Sequence, residues 1–525
     1  MRRRQIFTAA AAAALAAPRI ARAAQPLRFV PQADLAILDP IWTSANITRN
    51  HGYLVFDTLY GTDAEWKIQP QMVEGHVVEA DGKLWRLTLR EGLRFHDGEP
   101  VRGVDVVASL RRWGARDAFG SALLAATDEM AAPSDRVVTI RLKKPFALLP
   151  DALGKPGVNM PAIMPERLAR TSPTERVTEM VGSGPFRFVA GEWSQGNRVV
   201  YEKFAGYVPR SGGAPSLTAG PKVAHFDRVE WVIIPDPATA AAALANGEVD
   251  WWERPTPDLL PLLARNRRVV VRAHDPTGAL QFLRFNHLHP PFDNPAIRRA
   301  IIGAVQQSDY MQAAAGSDPA MWDAQCGVFT PGMPMASDAG MEVLNGPRDI
   351  AKVKRDLAAA GYAGERVVFL GTSDVPEIKA ISEVGADMFR RIGMNLDYQV
   401  LDWNTVLQRR TSTEPSDKGG WNIMHSGFAG LDAATPAANL GLRGNGRGAW
   451  FGWPTSPRIE ELRNAWFDAP DLAAQQRICQ QIQLQAWQDV PYIPLGLIRR
   501  AMAWRSDLAD MVPAGVAFHG VRRLS

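Results

Sequence analysis

Only two cysteines, Cys326 and Cys479, occur in 525 residues, too few for a disulfide framework or a four-thiolate metal site. The pair either bridges a long loop or remains as two buried thiols. Beyond the first two dozen positions there is no run of 18 uncharged apolar residues, so no later segment is suited to crossing a bilayer as a helix. The motifs of common chemistries are missing as well: no H-E-x-x-H, no P-loop and no pair of C-x-x-C steps. Gly182-Ser183-Gly184 is not a nucleophile elbow, because Val181 stands where that turn requires glycine. Gly444-Asn445-Gly446-Arg447-Gly448 has the wrong spacing for a dinucleotide turn. It reads as a flexible loop, or as a backbone-amide nest in which Arg447 grips a carboxylate. An excess of one charge is also lacking. The formal charge of +4 rests on Arg2, Arg3, Arg4, Arg19 and Arg22, without which it is −1, so no nucleic-acid partner is implied.

What is present is ordinary globular composition, 46% hydrophobic and 22% charged, at a length that fits about three compact units. The first residues read as an export leader. Arg3-Arg4-Gln5-Ile6-Phe7 follows the twin-arginine pattern, an alanine-rich run extends from Thr8 to Ala17, and Ala21-Arg22-Ala23 is an A-x-A cleavage site. The expectation is a leader over residues 1–23 and a mature chain starting near Ala24. With no cysteine at the cleavage site, the product is expected to be soluble in the periplasm and not a lipoprotein.

Apolar periodicity sketches an α/β chain. Leu27–Val30 is a short strand, and Tyr53–Tyr60 has helical spacing. Trp85, Leu87 and Leu89 alternate with Arg86, Thr88 and Arg90, which puts three apolar side chains on one strand face. Val104, Val107 and Leu110 recur at helical spacing. Asp236-Pro237 and Asn294-Pro295 are helix starts with a capping side chain ahead of proline at the first position, and Gly247 follows the first of these helices. After Leu280 the strand-helix alternation restarts, with strands at Val367–Leu370, Leu396–Leu401 and Trp421–Met424 and a helix over 377–391. Sixteen tryptophans are a high count; most are expected in the core, and the excess also fits a cleft lined with aromatics.

Several blocks carry a family resemblance. Glu91-Gly92-Leu93-Arg94-Phe95-His96-Asp97-Gly98-Glu99-Pro100, followed by Val104-Asp105-Val106-Val107-Ala108-Ser109-Leu110, resembles the hallmark of the family 5 extracellular solute-binding proteins, the peptide- and nickel-type receptors of ABC importers. Val181–Phe186, Asn246–Asp250, the segment from Asn286 through Pro291-Phe292-Asp293 to Ala300, and Asp489–Leu495 are similar to further family blocks, in the same order. The resemblance implies a two-lobed α/β periplasmic-binding-protein fold of the large, type II peptide-binding kind, with an inserted β-rich subdomain. Lobe one would comprise 24–66, 183–280 and 491–525, the insert 67–182, and lobe two 281–490, with crossovers near Leu280 and near Pro491. The implied function is a receptor that encloses a short peptide or similar small solute by hinge closure and delivers it to ABC permease subunits, as a monomer without a cofactor. A metal-chelate receptor of the nickel type and a chemoreceptor adaptor are the alternatives within this fold. A periplasmic peptide hydrolase is disfavoured, since no nucleophile and base are paired in the sequence.

The resemblance also points to residues. Peptide-binding members hold the ligand's α-amino group with an aspartate shortly after a Gly-Trp step. Here the stretch reads Ser426-Gly427-Phe428-Ala429-Gly430-Leu431-Asp432, so Phe428 replaces the tryptophan and Asp432 is the nearby carboxylate. Gly427, Phe428 and Asp432 are therefore the implied ligand residues, and capping of the next turn is the other role open to Asp432. Nickel-chelate members place a histidine three residues before the aromatic, which would be His425. Tyr60, Trp403, Trp42 and Trp450 are candidates for stacking on a ligand, and Arg447 for pairing with its carboxylate.

Overall fold

A computed structural model of the chain describes residues 25–513 and 516–524, so the leader read over residues 1–23 lies outside the described residues. Strand pairing gathers the α/β pattern into two mixed sheets. The first runs in the order 269–273, 501–505, 251–252, 27–30, 228–232, 198–203, 186–188. Leu27–Val30 lies parallel to both Arg228–Val232 and Trp251–Trp252. The connection between the latter two is the helix Pro237–Asn246, where Asp236 accepts a hydrogen bond from the Thr239 N–H and Gly247 closes the end at φ 80°. The cap and the left-handed stop are those legible in the sequence.

The second sheet runs 322–323, 492–498, 279–285, 423–429, 366–372, 395–401. Arg366–Thr372 is parallel to Asn395–Leu401, and the helix Pro376–Arg391 crosses between them. Ala279–Phe285, buried along its whole length, pairs antiparallel with Ile423–Ala429 on one side and Tyr492–Ile498 on the other. A separate four-stranded antiparallel sheet, 73–79, 84–89, 137–142, 127–134, stands within the stretch expected as an insert. Its strand Leu84–Leu89 buries Trp85, Leu87 and Leu89 and exposes Arg86, as alternation requires. Cys326 and Cys479 are both buried and unpaired.

Three details differ from the sequence reading. The chain passes from the first sheet to the second between Ala273 and Ala279, and returns between Ile498 and Ala501. The second crossover is therefore not near Pro491, and residues 492–498 belong to the second sheet rather than to lobe one. The reason is their pairing: this apolar strand completes the antiparallel ladder beside Ala279–Phe285, and only from Ala501 does the backbone reach Val269–Ala273. The helix expected over Tyr53–Tyr60 instead spans Asn46–Val55, leaving Tyr60 to open a strand. The strand expected at Trp421–Met424 spans Ile423–Ala429 and takes in Gly427 and Phe428, because Ala279–Phe285 continues the ladder that far, whereas Arg366–Thr372 pairs only with Ile423 and Met424.

Candidate ligand-binding cleft

The two crossovers lie side by side. Gly278 has φ +59°, and a Cβ on it would stand 2.5 Å from the Ile498 carbonyl oxygen, so the close approach of the crossovers requires glycine. Next to them, between the lobes, is a narrow cavity of about 40 Å³. Asn46 and Arg49 line it from the helix Asn46–Val55, Glu253 and Arg254 from the end of the strand Trp251–Trp252, and Arg500 from the second crossover. Ala429 and Leu431 line it from the end of the strand Ile423–Ala429. A roomier cavity of about 340 Å³ lies elsewhere, beside the helix Gly103–Gly114, away from the junction of the lobes.

Asp432 follows Leu431 in the single helical turn Gly430–Ala433 and faces lobe one. A side chain added at Gly157 would meet its Oδ1 at 3.5 Å. Burial raises the Asp432 carboxyl above the ordinary carboxylate range, while the charges of Arg49 and Lys155 and the Val158 N–H pull against that rise. Lys155 is already paired with Asp117. Asp432 makes no ion pair among the described residues.

On the strand that leads into this turn the second sheet carries an aromatic wall. Phe428 stacks on Phe282 with ring centroids 4.4 Å apart and planes at 26°. Trp450 packs on Phe428 at 5.4 Å and Tyr492 closes the group. The Arg284 guanidinium lies 5.2 Å from the Trp450 ring and donates to the Phe451, Gly441 and Pro491 carbonyls. A buried arginine with its donors satisfied holds this wall in one geometry.

Residues 67–449 match the family model of bacterial extracellular solute-binding proteins, family 5 (Middle). The chain belongs to this family. It is 34% identical over 521 residues to the probable peptide ABC transporter periplasmic-binding protein y4tO of Sinorhizobium fredii, covering 98% of this chain and 97% of the other. It is 26% identical over 487 residues to the glutathione-binding protein GsiB of Pectobacterium atrosepticum, covering 89% and 87%. Among solved structures it is similar to a dipeptide-binding protein of Pseudoalteromonas in complex with Met-Leu, with a TM-score of 0.75, 18% identity and coverage of 95% and 100%. The likeness in shape identifies the fold as that of the two-lobed, type II periplasmic binding proteins.

In this solute-binding protein the expected site residues are only partly brought together. Phe428 and Trp450 touch, and Trp403 packs on the same apolar cluster as Trp450. Gly427 adjoins them but points the other way, where a Cβ would collide with the Gln281 amide at 2.8 Å. Tyr60 is not in the cleft. It is 1% exposed, and its hydroxyl is spent on His76 Nδ1 at 2.9 Å. Trp42 stands on lobe one between Arg116 and Arg176, each 5.5 Å from its ring, and donates to the Thr174 carbonyl. Arg447 is exposed in the turn Gly446–Gly448 and makes no ion pair among the described residues.

His425 is placed in the core, which removes the residue on which the metal-chelate reading rested. Its ring is fully buried between Tyr310 and Phe369, at 5.7 and 4.9 Å. It packs so closely on the helix Pro376–Arg391 that a Cβ at Gly385 would lie 2.3 Å from it. Burial pushes its pKa down to about 3. The physical reason is strand alternation: His425 and Phe428 are three residues apart on one strand and so point to opposite faces of the sheet.

Sequence reasoning missed Arg49, Glu253, Arg254 and Arg500. A signal for two of them was available. Ligands of open α/β sheets gather at the carboxyl ends of the strands, and Glu253-Arg254 directly follows the strand Trp251–Trp252.

Proposed function

We propose that this chain is the periplasmic receptor of an ABC importer, capturing a short peptide between its lobes and presenting the closed form to the membrane permease. The observation that carries the reading is Asp432. It is a carboxylate without an ion pair among the described residues, sheltered at the seam of the lobes in the turn that follows the strand carrying Phe428. A ligand α-ammonium supplies the direct ion pair that Arg49 and Lys155, acting from a distance, do not make, and burial makes that pairing worth more than it would be in water. The names of similar proteins, one a probable peptide receptor and one holding Met-Leu, support the same ligand class.

A cavity of about 40 Å³ has room for only a few water-sized groups, so a peptide enters with the lobes apart. Closure then brings Phe119 and Phe146 of the inserted stretch against Phe467, at 5.7 and 6.4 Å, and Lys144 onto Asp468 at 2.6 Å. Two packed lobes joined by two short crossovers form a hinge, and the ligand selects the closed form by touching both lobes.

Native mass spectrometry of the protein purified from its own cells, followed by identification of the released ligand, tests the reading. A ladder of di- to pentapeptide masses supports it, whereas a single mass with a nickel or iron isotope pattern overturns it. Asp432→Asn should weaken binding of a peptide with a free amino terminus about 100-fold or more, from the cost of leaving one partner of a buried pair alone. An N-acetylated version of that peptide should bind wild type and variant equally poorly. Unchanged affinity of the variant for the free peptide would remove Asp432 from the site.

A further inference from the structure

One stretch of lobe one carries positive charges and no negative one. From Leu259 to His274 the chain holds Arg265, Arg267, Arg268 and Arg272 and neither aspartate nor glutamate, in a protein that is close to neutral without its leader arginines. The stretch forms the short helix Leu260–Ala264, the turn after it and the strand Val269–Ala273, which is an edge of the first sheet. All four arginines are exposed, and none makes an ion pair among the described residues. Arg272 lies 5.1 Å from the Trp504 ring. The carboxylates around the stretch do not neutralise it. Asp275 is spent on the N–H and hydroxyl of Thr277, at 2.8 and 2.6 Å. Asp507, on the chain leaving the neighbouring strand, is held by Arg523 at 2.7 Å and Arg505 at 3.7 Å. Asp258 is exposed and without an ion pair among the described residues.

Leu262 stands among these charges. It is 60% exposed, the most exposed of the large apolar side chains among the described residues. Leu263 beside it is buried and packs with Leu244 and Val269. Consecutive helical residues point about 100° apart, so burying Leu263 turns Leu262 outward. Arg268 and Arg272 guard the sheet edge against pairing with another chain. That role gives no reason for Arg265 and Arg267, which lie outside the strand, or for Leu262. The stretch also holds no phenylalanine, tyrosine or tryptophan, the aromatic anchors of a protein–protein contact. A leucine flanked by arginines is instead the composition of a membrane-surface contact. The apolar side chain enters the headgroup boundary, while the arginine stems lie along it and their guanidiniums reach phosphates.

We propose that Leu262, with Arg265, Arg267, Arg268 and Arg272, is a docking surface for an anionic lipid membrane. Each arginine near such a surface strengthens the contact about fivefold. A few charges and one leucine therefore hold the protein reversibly, far short of an anchor. The surface belongs to lobe one alone, so docking does not depend on closure of the cleft. A receptor held this way searches for its permease in two dimensions rather than three. That benefit rests on the reading of an importer's receptor, but the docking surface itself does not.

Co-sedimentation with vesicles tests the surface, using protein purified from its own cells. One set of vesicles is phosphatidylcholine alone, the other phosphatidylcholine and phosphatidylglycerol in equal parts. At low salt wild type should bind the anionic vesicles at least about tenfold better than the neutral ones. It should lose that preference in about 1 M salt, where the screening length falls to ~3 Å. The double variant Arg265→Gln/Arg267→Gln should weaken binding to the anionic vesicles about 25-fold, whereas Arg265→Lys/Arg267→Lys should keep most of it. Wild type and variants carry the same amino terminus, so any arginines there cancel in the comparison. Leu262→Ser should weaken binding several-fold and leave the salt dependence unchanged, and all the variants should melt as wild type does. Equal binding to both vesicle sets, binding to neither, or anionic binding that survives the glutamine variant overturns the proposal, whatever ligand the cleft takes. A photoreactive amino acid in place of Leu262 reads the contact in cells. Crosslinks to lipid support the surface, whereas crosslinks to protein alone make it a protein-docking site and overturn it, as does the absence of any crosslink.

Discussion

Replacing Lys222 with methionine should destabilise the protein by about 3–5 kcal/mol, the cost of leaving a buried charge without its partner. Lys222 has no exposed surface, and its ammonium lies 2.7 Å from Asp57 Oδ1. Asp57 also accepts from the Thr58 N–H at 2.9 Å and the Tyr207 hydroxyl at 2.8 Å. Burial alone would raise its pKa, but the charge and hydrogen bond of Lys222, with those two donors, more than offset it and hold the carboxyl below its ordinary value. In Lys222→Met the carboxylate keeps its neutral donors and loses its counter-ion. The double variant Asp57→Asn/Lys222→Met should be more stable than Lys222→Met alone, because no uncompensated charge remains. Urea melts of wild type, the two single variants Asp57→Asn and Lys222→Met, and the double variant read this directly. A Lys222→Met protein within about 1 kcal/mol of wild type would show that the pair is not buried as described.

Mild acid should have the second large effect. Burial depresses His51, His425 and His519 to about 3, and His96 to about 4. His96 shows why its neutral form is required: Nδ1 accepts from the Gly182 N–H at 3.3 Å while Nε2 donates to the Gly184 carbonyl at 3.0 Å. A histidine lowered on folding takes up its proton in the unfolded chain first. Its contribution is therefore whole above pH ~6.5 and is lost as pH falls toward the folded value. Each such proton is worth about 1.4 kcal/mol per pH unit, so four of them give a slope of about 5 kcal/mol per unit between pH ~6 and ~4. Asp151, raised to about 6 by burial, and Asp432, raised likewise, act in the opposite sense and reduce that slope. Since the whole stability of a domain is only about 5–15 kcal/mol, tryptophan fluorescence should report cooperative unfolding before pH ~4. His425→Leu should move the midpoint to lower pH and leave ligand binding alone. A native spectrum and an unchanged melting temperature at pH 4 would contradict the picture of buried, neutral imidazoles.

Much of this architecture was legible without coordinates. Capping pairs such as Asp236-Pro237 and Asn294-Pro295 started helices where they should, with Asp236 bonding the Thr239 N–H and Asn294 bonding the Ala296 N–H. Alternation placed Trp85, Leu87 and Leu89 on the buried face of their strand. These signals are local: a capping oxygen reaches N–H groups two or three residues away, and a strand's faces are set by its own pleat. The second crossover was misplaced because Tyr492–Ile498 is apolar throughout, so its own residues do not reveal which sheet it joins.

The site divides along the same line. That Phe428 and His425 stand on opposite faces of one strand follows from their spacing, once the strand is known to run from Ile423 to Ala429. Tyr60, Trp42, Trp403 and Trp450 were alike in the sequence, yet packing sent the first into the core beside His76 and joined the last to Phe428. The sequence by itself determined the family and most of the α/β elements. Only the tertiary structure decided that Arg49, Arg254 and Arg500, up to 451 positions apart in numbering, share one cavity. Charges so far apart along the chain leave no mark on local pattern. They meet because two sheets are joined at two adjacent crossovers, and whether each finds a counter-ion is settled by which carboxylates that closure leaves free.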